Sequence, residues 1–334
     1  MNLENAAKYL AAMQSPDGAF PMAKPGSADS SRVIPYFSSL GAFGLTVAAA
    51  ETGDRKQRDQ YVNAARRWAE WNDSRRNPDG TIFDHEGKSG AWKPTGKYDS
   101  TDSYASTYLE LLGLLDRVAP NPLWLRGRWQ FVHRSVAAIV LTRQPNGLTT
   151  ATPTYPVMYT MDNIEVLRGL RAAVALAKSL GNKAEGTEWN ALADATESGI
   201  AGKLWDPKEN CYLVGLQVDG GRAAGLSKWY PDVMANLMAV GWLPRSERRM
   251  QLYGKLVAKF ANAPDTGIPR AVSNEDTLER LTWWGFAART AGDRTRFPAI
   301  QATLRATDLT KLAIANPATV GHVCRLLSRG NVGK

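Results

Sequence analysis

Cysteine and histidine are scarce in this chain. Its 334 residues include two cysteines, Cys211 and Cys324, 113 positions apart, and three histidines, His85, His133 and His322, with no CxxC pair. This argues against a Cys/His zinc site, so no metal or cofactor is expected, and too few thiols are present to read a redox compartment. No apolar run nears the roughly 20 residues that cross a bilayer. The opening Met1-Asn2-Leu3-Glu4 has neither a basic nor an apolar signal region. The expectation is a soluble chain without membrane segment or signal peptide, either cytoplasmic or a mature secreted form, with its oligomeric state open. Blocks of Lys or Arg are also missing. The 41 basic and 32 acidic residues give +9, but the basic ones are spread along stretches such as 55–67 and 245–259. A solvated basic surface explains them better than nucleic acid does.

What is present is a returning turn. Ser15-Pro16-Asp17-Gly18, Asn77-Pro78-Asp79-Gly80, Gln144-Pro145-Asn146-Gly147, Asp206-Pro207 and Ala263-Pro264-Asp265-Thr266-Gly267 place prolines 62, 67, 62 and 57 residues apart. Each ends a helix and opens a loop, since proline cannot continue a helix and Asp/Asn-Gly supplies positive φ. A second break alternates with the first, at Thr52-Gly53, Pro120-Asn121-Pro122, Gly181-Asn182, Leu243-Pro244 and Ala291-Gly292.

Between the breaks lie twelve segments of helical spacing in two classes. Those near 4–14, 55–72, 122–143, 184–204, 245–262 and 294–308 are charged, as in Arg55–Asn72 with seven charges in 18 residues. Those near 33–51, 102–117, 162–180, 232–243, 276–290 and 317–329 are apolar or small on most faces, as in Asp232–Leu243 with one charge in 12. The second class must be enclosed by the first. Six hairpins of one outer and one inner helix predict an all-α, (α/α)6 toroid or barrel, forming one domain over 1–334. The loops at 15–32, 73–101, 144–161, 206–231 and 263–275 are long and gather at the N-termini of the inner helices, with short β-hairpins such as Cys211–Val218 and its turn at Asp219-Gly220-Gly221. Long loops on a rigid scaffold are where sites are built.

Acids recur at that end. Tyr98-Asp99-Ser100-Thr101-Asp102-Ser103-Tyr104 opens the second inner helix, Tyr159-Thr160-Met161-Asp162-Asn163 the third, and Trp229-Tyr230-Pro231-Asp232 the fourth, while Asn274-Glu275-Asp276 precedes the fifth. Capping accounts for any one of them, because Asp is a preferred N-cap. Convergence of several on one cavity suits acid/base work on a glycosidic bond, with Asp102 and Asp162 the catalytic pair and Asp99 and Asp232 in reserve. Aromatics stand beside them. Tyr36, Trp92, Tyr98, Tyr104, Tyr155, Tyr159, Trp229, Tyr230, Trp283 and Trp284 fall at the loop end, where flat rings suit sugar C–H faces. For Trp283 and Trp284, core packing fits as well.

This layout, carried by Asp99-Ser-Thr-Asp102-Ser, Met161-Asp162-Asn163 and the Pro-Asp-Gly turns, resembles the six-hairpin glycosidase superfamily. The resemblance implies an (α/α)6 barrel that binds carbohydrate at the inner-helix N-terminal side and acts through Asp or Glu. Within it, the Asp102 and Asp162 positions are weakly similar to those of unsaturated glucuronyl hydrolases, where one Asp donates the proton that starts hydration of the sugar double bond. The leading reading is a glycoside hydrolase acting on an oligo- or polysaccharide, acidic sugars included because of the net positive charge. A polysaccharide lyase using His85, Tyr159, Asn163 and Arg270, with Arg270 binding substrate, is the alternative. A carbohydrate-binding scaffold without catalysis is the third.

Overall fold

The computed structural model describes residues 1–330 except 224, 313 and 314. Among the described residues thirteen α-helices stand where twelve were expected. The outer ones are α1 (Leu3–Ala11), α3 (Arg55–Asp73), α5 (Pro122–Arg126) with α6 (Trp129–Leu141), α8 (Lys183–Lys203), α10 (Glu247–Phe260) and α12 (Arg296–Ala306). The inner ones are α2 (Pro35–Glu51), α4 (Thr101–Val118), α7 (Thr160–Leu180), α9 (Met234–Trp242), α11 (Glu275–Ala291) and α13 (Pro317–Leu327). The extra helix comes from a break at Gly127-Arg128 in the third outer segment. There the Arg128 guanidinium pairs with Glu70 and Asp73 of α3. The inner helices pack in the cyclic order α2, α4, α7, α9, α11, α13 and back to α2, so a mainly-α toroid results.

Local chemistry sets the boundaries. Asp54, Ser100, Asn274 and Asn316 cap helix starts by accepting backbone N–H groups three residues on. Pro35, Pro122 and Pro317 occupy first turns, and Gly181 and Gly292 end α7 and α11 in the left-handed region at φ 79° and 74°. Along α2 thirteen of 17 residues are buried, whereas α3 keeps a solvated charged face.

The returning turns have a structural purpose. Gly18, Gly80 and Gly147 have φ of 95°, 88° and 87°, and each presses on the backbone of the next outer helix. A Cβ there would lie 2.8 Å from the Arg67 carbonyl oxygen, 2.0 Å from that of Arg134 and 2.3 Å from that of Ala195. The first three hairpins thus dock their turns on the next outer helix, which fits the period near 60 residues.

The strands are short and belong to the long loops. Trp205–Asp206 pairs with Cys211–Tyr212, and Gly215–Gln217 lies between Val157–Tyr159 and Arg222–Ala223. The expected hairpin is therefore divided, with 211–212 in one ladder and 215–217 in another. The turn at Asp219-Gly220-Gly221 lies where the sequence puts it.

Candidate active site

The loop end is held to the helix starts by a recurring clamp four residues into an inner helix. Ser38 donates to the carbonyls of Phe20 and Ile34. Asn163 accepts from Thr149 N at 2.8 Å and donates to the carbonyls of Thr149 and Tyr159. Asn236 repeats the arrangement on Tyr212 and the Asp232 carbonyl. Satisfying buried loop backbone this way fixes the mouth of the toroid.

Asp102 and Asp162 meet different surroundings. Asp102 is fully buried. Its Oδ1 accepts from the Ser100 hydroxyl at 2.7 Å and Ser103 N at 2.9 Å, and its Oδ2 from the Thr149 hydroxyl at 2.6 Å. Burial pushes its carboxyl up to about 6, against the pull of those hydrogen bonds. Asp162 is half-buried, and no other described residue hydrogen-bonds its side chain. Burial first, then the negative charges of Asp102, Glu165 and Asp99, hold it well above the usual carboxylate range. The protonated form of Asp162 is thereby favoured relative to that of an ordinary exposed carboxyl.

Two further carboxyls belong to the same mouth and were not singled out as candidates from the sequence. Glu165, one turn along α7, is buried and accepts from the Tyr36 hydroxyl of α2 at 2.7 Å. Burial and the charges of Glu110 and Asp102 raise it to about 8. Glu279, one turn into α11, is half-buried beside Trp229, and burial followed by the charge of Glu275 brings it to about 7. The charges of Asp162, Glu165 and Glu279 all reach the hydroxyls of Tyr36 and Tyr230, so α2, α7, α11 and the loop before α9 converge. Among the described residues no Lys or Arg lies within ion-pair distance of these three carboxyls. A like-charged pair one turn apart on a helix is destabilising. Asp162 with Glu165 and Glu275 with Glu279 are such pairs, and this was the signal in the sequence.

The other expected residues divide. Asp99 is exposed at the rim and adds its charge to Asp162 and Tyr230. Tyr104 is buried and donates to Asp84, while Tyr98 stacks on Phe83 with ring centroids 5.8 Å apart. Tyr159 and Tyr155 touch through their hydroxyls at 3.3 Å, and Tyr230 is 62% exposed beside the acids. Asp232 is buried and accepts from Ser227 N, the Ser227 hydroxyl and Lys228 N, which closes its own loop. Trp283 packs in the core against Trp242 and His322, and Trp92 is likewise in the core, so neither offers a ring face to a ligand. Arg270 lies exposed in the loop before α11. His85 is buried edge-on to Trp71 with Nδ1 at the Phe83 carbonyl, and burial lowers its pKa.

Carboxyls raised by burial make stability depend on pH. Asp102, Glu165 and Glu279 keep protons to about 6, 8 and 7, whereas the unfolded chain releases them near 4. Their contribution is full below the unfolded values and is lost as pH rises through the folded ones. Calorimetry should therefore give a higher Tm near about pH 5 than near about pH 9, and Glu165→Gln should flatten that slope.

No protein-family model matches this sequence, and no curated protein matches it at significant similarity. Solved structures do match its fold. An uncharacterized conserved protein from Thermus thermophilus superposes with a TM-score of 0.68 at 13% identity, covering 98% of this chain and 99% of that one. A GH63 mannosylglycerate hydrolase from the same organism, in complex with glucose, gives 0.66 at 13% identity over 97% and 99%. A rhamnosidase from Klebsiella oxytoca with rhamnose bound gives 0.63 at 13% identity over 97% of this chain and 62% of that one. The toroid is thus the fold of structural neighbours that include glycoside hydrolases.

Proposed function

We propose that the chain is a glycoside hydrolase that cuts an uncharged oligosaccharide at the carboxyl-lined mouth, with Asp162 as general acid and Glu279 as its ionised partner. The observation that carries this is Asp162 itself, half-buried, accepting no side-chain hydrogen bond from any other described residue, with its pKa raised by burial and then by the acids around it. Its proton passes to the glycosidic oxygen as the C–O bond breaks. The positive charge that develops on the sugar ring is stabilised by the surrounding carboxylates, and Glu279 takes a proton from the attacking water or attacks the ring carbon itself. Asp102, sealed by three hydrogen bonds, keeps the proton on Asp162 by its charge. Tyr159, Trp229 and Tyr230 form the wall for the sugar rings. A uronate is disfavoured here despite the net +9, because the positive charge of the chain lies elsewhere and a second anion would face only carboxyls.

The lyase reading receives no such support. His85 is spent on the Trp71 and Phe83 contacts, and Asn163 is spent on the clamp. The deciding experiment is incubation with a panel of neutral oligosaccharides. Release of reducing ends without an absorbing unsaturated product is expected, with the rate rising as pH passes through about 7, where Glu279 ionises. An unsaturated product, or no cleavage of any member, overturns the reading.

A further inference from the structure

Among the described residues the strongly exposed aromatic side chains are Tyr230 and Tyr155, and both stand at the carboxyl-lined mouth. Tyr155 is 50% exposed, with Val218 exposed beside it, where the Val218 N–H donates to the Pro156 carbonyl at 3.0 Å. Exposed apolar side chains gathered in one place mark a binding surface. Tyr230 belongs to the wall next to the acids. Tyr155 is one ring further along. It stacks on Tyr159 with ring centroids 6.3 Å apart and planes inclined by 24°. Burial, then its neighbour Tyr155, then the charge of Asp162 raise the Tyr159 hydroxyl, so a row runs from the acid through Tyr159 to Tyr155.

The surroundings of that ring say what it takes. Residues 144–161 contain no Asp, Glu, Lys or Arg, in a chain that is 22% charged. The Tyr155 N–H donates to the Thr152 hydroxyl at 3.0 Å, and the hydroxyls of Thr152 and Thr154 lie 3.4 Å apart. The segment is anchored on both sides, by the Asn163 clamp on Thr149 and by the pairing of Val157–Tyr159 with Gly215–Gln217. A flat ring on a fixed loop, flanked by hydroxyls and free of charge, matches a neutral sugar, whose C–H face packs on the ring while its hydroxyls exchange hydrogen bonds. An ionic ligand finds no counter-charge on this segment.

We propose that Tyr155, backed by Tyr159, is an outer sugar subsite, and that the substrate is a neutral oligosaccharide longer than a disaccharide, cut at Asp162 with a further ring on Tyr155. This rests on the reading of the mouth as a glycosidase site. Kinetics on the di- and trisaccharides of the maltose, cellobiose and mannobiose series test it. In the series that is cut, the trisaccharide should have a KM lower by about three- to tenfold, the worth of one ring stacked on an aromatic, with kcat little changed. Tyr155→Ala should erase that advantage, and Tyr155→Phe, which keeps the ring, should retain it. A purely structural role would weaken both lengths alike. Equal KM for the two lengths, or an advantage that survives Tyr155→Ala, overturns the subsite and leaves the cleavage reading standing. If no member is cut, the cleavage reading falls, and titration calorimetry of the whole chain with the three trisaccharides decides the subsite. Binding weakened by Tyr155→Ala supports it, whereas no binding, or equal binding by the native chain and the variant, overturns it.

Discussion

Asp162→Asn is expected to lower turnover of a cleavable oligosaccharide by about 10²- to 10⁴-fold while the Tm barely moves. Asparagine keeps the shape, and no hydrogen bond from another residue to the side chain is lost, because no other described residue makes one. What disappears is the proton. Asp102→Asn should behave differently. There an amide replaces an oxygen that accepts from Ser100 and Ser103 or from Thr149, so some stability is lost. Removing that negative charge also lets the Asp162 pKa fall, so the alkaline limb of the rate profile moves to lower pH with a smaller loss at the optimum. Rate profiles of the two variants against pH, with Tm measured alongside, separate these roles. Equal loss in both, with an unmoved alkaline limb, would place Asp102 in the chemistry instead.

The second large effect is structural. Gly321→Val should destabilise the chain by about 3 kcal/mol or more, because a side chain there overpacks the seam that closes the ring. A Cβ at Gly321 would lie 2.2 Å from the Leu40 carbonyl oxygen, and one at Gly44 would lie 2.5 Å from the Gly321 Cα. Backbone stands against backbone between α13 and α2, and neither helix can yield without opening the toroid. Denaturant unfolding checks this, and a native midpoint would show that the seam is looser than described.

Much of this fold was legible because its punctuation is local. Proline and Asp/Asn-Gly act on φ within a few residues, so the returning turns marked the helix ends wherever they stood. The break at Gly127-Arg128 was not legible, because apolar spacing runs through it and the cause is a pairing of Arg128 with α3, more than fifty residues away. The site was legible as a place rather than as a set of roles. Asp102 and Asp162 look equivalent in sequence, each at an inner-helix start. Thr149, 47 residues beyond Asp102, makes one of them a sealed acceptor, and its absence from the other leaves an unpaired acid. Glu279 escaped attention because it lies one turn inside α11 rather than at its start. Trp92 and Trp283 looked like ligand aromatics by position, but burial decides what a ring can touch, and both are in the core.

The most direct measurement is a crystal structure of the Asp162→Asn variant with an uncharged oligosaccharide that the native chain cuts. The account predicts a glycosidic oxygen within hydrogen-bond reach of residue 162, rings against Tyr230 and Trp229, and Glu279 on the far side of the scissile bond. Sugar bound with its glycosidic bonds away from residue 162 and Glu279 would contradict it.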